Sequence, residues 1–167
     1  MAGLAYGQDT AQKEKCKLVI ATPPCQGMSI AGKMDKNDSR NTLIVSAINS
    51  ILDIDADFAL IENVPQMLKF FIRIKNKPVK ITDYILSRLD SPYNVSFNVV
   101  DVADYGTPQH RKRAIVLISK RTRGINWKIP QKEKQISTRE VIGHLPSLES
   151  EEKSDIKYHY SKKHKPE

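Results

Sequence analysis

The sequence predicts an α/β fold built on a parallel sheet, and three observations carry that expectation. Two short apolar runs, Leu18-Val19-Ile20-Ala21 and Phe58-Ala59-Leu60-Ile61, are each stopped abruptly by polar or proline-containing sequence, the form of buried strands that end at a sheet rim. Between them Leu43, Ile44, Ala47, Ile48, Ile51 and Leu52 recur at helical spacing. Strand, helix and strand therefore follow one another, the order of parallel strands joined by a right-handed crossover.

Taken along the chain, residues 1–16 carry little pattern and read as a remnant or linker. The first strand stops at Thr22-Pro23-Pro24, and a loop from about Pro23 to Arg40 follows, rich in Gly27, Ser29, Gly32, Lys33, Asp35, Asp38 and Ser39. That composition suits a mobile segment carrying function better than a core element. The helix starts near Asn41, and the second strand is stopped by Glu62-Asn63 and then Pro65. Ile81, Ile85, Leu86 and Leu89 give a second helix one apolar side, with Pro92 as its stop. Tyr93 to Val102 alternates through Val95, Phe97 and Val99, and Ala114 to Ile118 is the most hydrophobic stretch, so both predict strands. Beyond Ser119 the pattern fades, and 147–167 offers no periodicity that defines an element.

Composition bounds the function. With 40% hydrophobic and 28% charged residues the chain can bury a core, and no apolar run is long enough for a membrane span. No membrane partner is expected, and the chain reads as intracellular. Cys16 and Cys25 lack the spacing of a zinc or redox pair and the four histidines are scattered, so no metal site is expected. A formal charge of +8 favours polyanionic partners such as nucleic acid. The excess concentrates in 120–139, which holds seven basic residues against Glu133 alone, and again around Lys162 to Lys165.

The chemistry gathers at strand ends. In open parallel sheets ligands bind outside the carboxyl ends of the strands, and there stand Cys25, shortly after the first run, and Glu62, directly after the second. A free cysteine is commonly a small buried hydrophobe, but Cys25 lies between Pro24 and Gln26 in a polar loop. Glu62 alone would pass for an exposed strand-end carboxylate. The third element, Gly106-Thr107-Pro108-Gln109-His110-Arg111-Lys112-Arg113, leads into the apolar strand. If extended, it puts Gln109, Arg111 and Arg113 on one face, a fork suited to phosphate or to the carbonyl edge of a base. Taken alone, such residues would serve to blunt an edge strand.

Pro24-Cys25-Gln26, Glu62-Asn63-Val64 and Gln109-x-Arg111-x-Arg113, together with Ser39-Arg40-Asn41-Thr42-Leu43, resemble in order and spacing the signatures of the cytosine-C5 DNA methyltransferases. The resemblance covers 17–120. It implies part of a doubly wound, Rossmann-like sheet of an S-adenosylmethionine-dependent methyltransferase, lacking its first strands. It also implies Cys25 as nucleophile toward C6 of cytosine, Glu62 at N3, Arg113 at O2 and Arg111 in support. Pro24 and Leu43 would touch S-adenosylmethionine, while Gln26, Ser29 and Gln109 would touch nucleic acid. The implied partner is double-stranded DNA with its target cytosine flipped out, in a bacterial restriction-modification setting, cytoplasmic and nucleoid-associated when bound to DNA.

The family's opening strand and glycine-rich cofactor turn have no counterpart here, and 121–167 reads as the irregular start of a target-recognition region. The chain is therefore expected to be a piece of a longer enzyme or one subunit of a split one. Its S-adenosylmethionine site should be incomplete, the chain inactive alone, and its exposed sheet edge open to self-association. Three other readings compete: a transfer-RNA cytosine methyltransferase with the same motifs, a non-catalytic nucleic-acid-binding piece, and a cysteine hydrolase using Cys25 with His110.

Overall fold

A computed structural model describes residues 17–24, 43–75 and 77–163. Strand β1 (Leu18–Ala21) is followed by helix α1 (Leu43–Asp53) and strand β2 (Phe58–Asn63). Then come a hairpin of β3 (Phe71–Ile74) and β4 (Lys77–Lys80), helix α2 (Ile81–Leu89), strands β5 (Tyr93–Asp101) and β6 (Lys112–Lys120), and a short helix α3 (Thr138–Ile142). The main sheet has the order β1-β2-β6-β5. β1 and β2 are parallel, Leu18 opposite Phe58 and Ala21 opposite Ile61, with α1 as the crossover between them. The sheet is mixed beyond that point, because β6 runs antiparallel to both of its neighbours.

Period-two geometry sorts the strands. Ala59, Ile61, Ala114, Val116 and Ile118 face the helices, where they meet Ile44, Ile48 and Ile51 of α1 and Ile81, Ile85 and Leu89 of α2 in one core. Each of these isoleucines and leucines is fully buried, worth about 1.5–3 kcal/mol apiece. The opposite face is less covered: on β1, an outer strand of the described sheet, Leu18 is 49% and Ile20 65% exposed.

α1 ends because Asp55 turns left-handed at φ 54°. The Ala56 amide then reaches back to the Ile51 carbonyl and the Asp55 amide to Leu52, which satisfies carbonyls the helix would leave open. Two ion pairs tie the far end of the sheet together. Lys120 binds Asp55, and buried Asp57 takes Arg123 on both carboxylate oxygens, Nε at 2.6 Å and Nη2 at 2.7 Å, as well as the Lys17 amide at 3.0 Å.

The Arg123 guanidinium, ahead of the Lys17 amide, holds the Asp57 carboxyl below its ordinary 3.8. The folded value lies under the unfolded one, so this stabilisation is complete above the unfolded carboxylate range and is lost as pH falls through the folded value. Asp57→Asn is expected to cost about 2 kcal/mol at neutral pH, the scale of a charge-assisted hydrogen bond. It should also flatten the acid side of a plot of Tm against pH. An acid limb unchanged by the substitution would show that Asp57 is not the group responsible.

Candidate active site

Four chain segments meet at one rim of the sheet. The parallel strands β1 and β2 end there, β6 begins there because it is antiparallel, and β5, antiparallel to β6 in turn, ends there. Glu62 and Asn63 at the end of β2 pair with Ile115 and Ala114 near the start of β6. Glu62 and Arg113 are consequently diagonal neighbours on the sheet face away from the helices. The contact is made: Arg113 Nε donates to Glu62 Oε1 at 2.7 Å, with the two side chains 18% and 30% exposed. The bare expectation of a solvated strand-end carboxylate does not describe Glu62.

Asn63 points to the helix side and is 2% exposed. Its Nδ2 donates to the Pro23 carbonyl at 2.9 Å and its Oδ1 accepts the Val64 amide at 2.9 Å. One amide thus joins the end of β2 to the segment after β1, two residues before Cys25. Cys25, Gln26 and Ser29 themselves lie outside the described residues. Asn63 is a strand stop and a member of the Glu62-Asn63-Val64 motif in the sequence, and its buried, doubly bonded amide gives it a positioning role. Asn63→Ala should lower stability by about 1–3 kcal/mol, since it leaves the Pro23 carbonyl and the Val64 amide unpaired. In an active enzyme it should reduce kcat with little change in duplex affinity. A normal kcat in the variant would remove Asn63 from the site.

The arginine segment differs from its expected form. β6 starts only at Lys112. Gly106 is left-handed at φ 76°, and the Gln109 amide closes a tight turn on the Thr107 carbonyl at 2.8 Å. Two-residue alternation cannot be carried back through a turn, so Gln109 does not share an extended face with Arg111 and Arg113. Arg111 is exposed and is held by its main chain, its amide donating to Asp101 Oδ1 at 2.9 Å. Asp101 also accepts the Ala103 amide at 3.2 Å and pairs with His110 Nδ1 at 3.1 Å. The Arg111 amide first, then His110, hold the Asp101 carboxyl below its ordinary value. His110 therefore belongs with β5, at the other side of the sheet order from β1.

The following segment packs on this turn. Asp104 takes Lys132 at 2.7 Å and Gln135 at 2.6 Å, and Thr138 Oγ1 donates to the Pro108 carbonyl at 2.9 Å. A side chain at Gly106 would meet Glu133 Oε2 at 3.1 Å. Thr138 opens α3, whose Ser137 and Glu140 form a reciprocal capping box.

Pro24 is exposed after β1, and Leu43 is half-buried in the first turn of α1. They could line one flank of a nucleoside. The acids that follow Leu43, Asp53, Asp55 and Asp57, come before β2 and so lie at the opposite end of the strands. Two apolar residues do not by themselves hold S-adenosylmethionine. Among the described residues no group of three or more potential ligands could hold a metal ion, and no helix is long and apolar enough to cross a membrane.

A parallel strand–helix–strand unit with a carboxylate and an arginine joined on its rim is part of a Rossmann-like α/β sheet. A family model for C-5 cytosine-specific DNA methylases matches residues 6–167. The chain belongs to that family. It is 44% identical over 151 residues to the type II methyltransferase M1.HgaI of Avibacterium volantium, covering 87% of this chain and 42% of that protein. To the type II methyltransferase M1.HphI of Haemophilus parahaemolyticus it is 33% identical over 154 residues, covering 90% and 40%. The chain thus spans about two fifths of the length of these relatives. Among solved structures it is similar in fold to a DNA modification methyltransferase encoded within an E. coli prophage, with TM-score 0.64, 21% identity, and 89% of this chain and 40% of that one covered. It is likewise similar to the Entamoeba histolytica methyltransferase EhMeth, with TM-score 0.55, 19% identity, and coverage of 81% and 42%.

Proposed function

We propose that this chain carries the reacting residues of a restriction-modification enzyme that methylates C5 of cytosine in DNA through a covalent bond from Cys25. The observation that carries this reading is the Glu62 to Arg113 pair at 2.7 Å, standing beside the Asn63 bond that holds Pro23 at the foot of the Cys25 loop. C5 of cytosine is a poor nucleophile until something adds at C6. A thiolate does so well: the S–C6 bond forms and negative charge moves toward N3 and O2. The Glu62 carboxyl hydrogen-bonds or donates a proton to N3, Arg113 holds O2, and Arg111 supports the site.

In this family S-adenosylmethionine supplies the methyl group. Methyl transfer would leave S-adenosylhomocysteine. A water or hydroxide at the site would then take the C5 proton, its C–H electrons would re-form the C5=C6 bond, and the S–C6 electrons would leave with the Cys25 thiolate. The target base has to be flipped out of the duplex to reach the thiol. Gln26, Ser29 and Gln109 contact the backbone or the vacated space.

The test is a duplex bearing 5-fluorocytosine, given to a protein whose cofactor site is whole. Fluorine cannot leave as the proton does, so the S–C6 bond should persist and the trapped peptide should contain Cys25. Trapping of transfer RNA in preference to the duplex, or no adduct, would overturn the assignment. By resemblance to the family, Pro24 and Leu43 are the cofactor contacts this chain keeps, so calorimetry of the chain with S-adenosylmethionine should give no measurable binding. A micromolar affinity would contradict that part.

A further inference from the structure

The β3–β4 hairpin is the most one-sidedly charged element of the described fold. Between Glu62 and Asp83 the chain has no acid and five bases: Lys69, Arg73, Lys75, Lys77 and Lys80. Among the described residues none of the five takes part in an ion pair. Lys69, Arg73, Lys75 and Lys77 are exposed. The register sets Phe71 opposite Lys80 and Arg73 opposite Pro78, so one face of the hairpin presents Phe71, 50% exposed, between basic side chains. The other face turns Ile72 into the core and carries Lys77, opposite Ile74, at the exposed tip of the hairpin.

This charge sits on a fixed platform near the reacting rim. Met67, Phe70 and Ile72 are buried, and the Ile81 amide bonds the Phe70 carbonyl at 2.9 Å, closing the hairpin at its base. β2 and β5 run in the same direction, both antiparallel to β6. α2 is the helix between them, and it has to carry the chain back from the rim to the far end. Its first turn, joined directly to Lys80, is therefore at the rim end, as is the hairpin.

We propose that the β3–β4 hairpin is a phosphate-backbone contact for the duplex whose cytosine is methylated, with Arg73, Lys75 and Lys77 as the contacting groups. The inference rests on the DNA methyltransferase reading. Lysines that merely blunt a strand edge would need no rigid anchor at the reacting rim. Contacts of this kind release condensed counterions, which makes each one visible in the salt dependence of binding.

The experiment is fluorescence anisotropy of a labelled duplex with the full chain across about 50 to 200 mM salt. The parent is compared with a triple variant, Arg73→Gln, Lys75→Gln and Lys77→Gln. The slope of log K against log salt should become shallower by about 2 to 3 in the variant. A charge-preserving triple, Arg73→Lys, Lys75→Arg and Lys77→Arg, should keep the parent slope. An unchanged slope in the glutamine variant, an equal loss in the charge-preserving one, or tighter binding of transfer RNA through the same side chains would each overturn the proposal. Cys25 trapping on 5-fluorocytosine separates the two levels. In a protein whose cofactor site is whole, an unchanged slope with trapping intact refutes the hairpin contact alone, while absence of trapping there refutes the methyltransferase reading.

Discussion

In a protein whose cofactor site is whole, Cys25→Ala should abolish methyl transfer, on the order of 10⁴-fold or more, and all covalent capture of a 5-fluorocytosine duplex, while leaving duplex binding within about twofold. The reason is chemical. Without a sulfur to add at C6, the C5 position stays unreactive however well the base is held. Neither the rim pair Glu62 and Arg113 nor the basic hairpin depends on that sulfur, so recognition should survive. Cys16→Ala, the matching change at the other cysteine, should leave the rate unaltered. Steady-state methylation and gel-shift capture on the three proteins decide the matter; residual turnover in Cys25→Ala near the parent rate would exclude Cys25 as nucleophile.

Glu62→Gln should reduce kcat by about 10² to 10⁴, the usual contribution of a positioned acid or base. Glutamine keeps the length of the side chain but has no proton to give to N3, and it converts the 2.7 Å ion pair with Arg113 into a neutral contact. Arg113→Ala should lose a comparable amount. The double variant should fall well short of the product of the two losses, because both groups act on one ring and each orients the other. Fully multiplicative losses in single-turnover rates would mean that the pair is incidental.

Much of the fold was legible because it is local. α2 spans Ile81–Leu89 as its apolar spacing predicts, and β1 and β2 lie on the two apolar runs, β2 reaching through Glu62 and Asn63. β6 runs from Lys112 to Lys120, beyond the hydrophobic stretch that announces it. Ladder pairing with β5 extends to its charged ends and does not require apolar side chains. The hairpin left no such mark: Lys75, Lys77 and Pro78 interrupt the alternation of Ile72, Ile74 and Val79, and proline argues against a strand. α3 has no apolar period, yet the spacing of Ser137 and Glu140 was a readable capping signal in a region taken as irregular.

The site divides in the same way. Glu62 and Arg113 could be named from their motifs, but their contact follows from the antiparallel register of β2 and β6, which spacing along the chain does not reveal. The turn closed by Gln109 depends on Gly106 adopting a left-handed conformation, and this breaks the extended geometry assumed for Gln109, Arg111 and Arg113. The Asp57 to Arg123 pair spans 66 residues and has no sequence signature at all.

The central claim is that the sulfur after β1 and the carboxyl at the end of β2 meet over one pyrimidine-sized spot. The most direct measurement is thiol crosslinking in a Cys16→Ser background, with Glu62→Cys as the second thiol and a short bifunctional reagent, read by mass spectrometry. Rapid joining of Cys25 to the new thiol, much faster than to one introduced by Ser87→Cys on α2, is the predicted result. Equal rates at the two positions, or joining only at the α2 position, would contradict it.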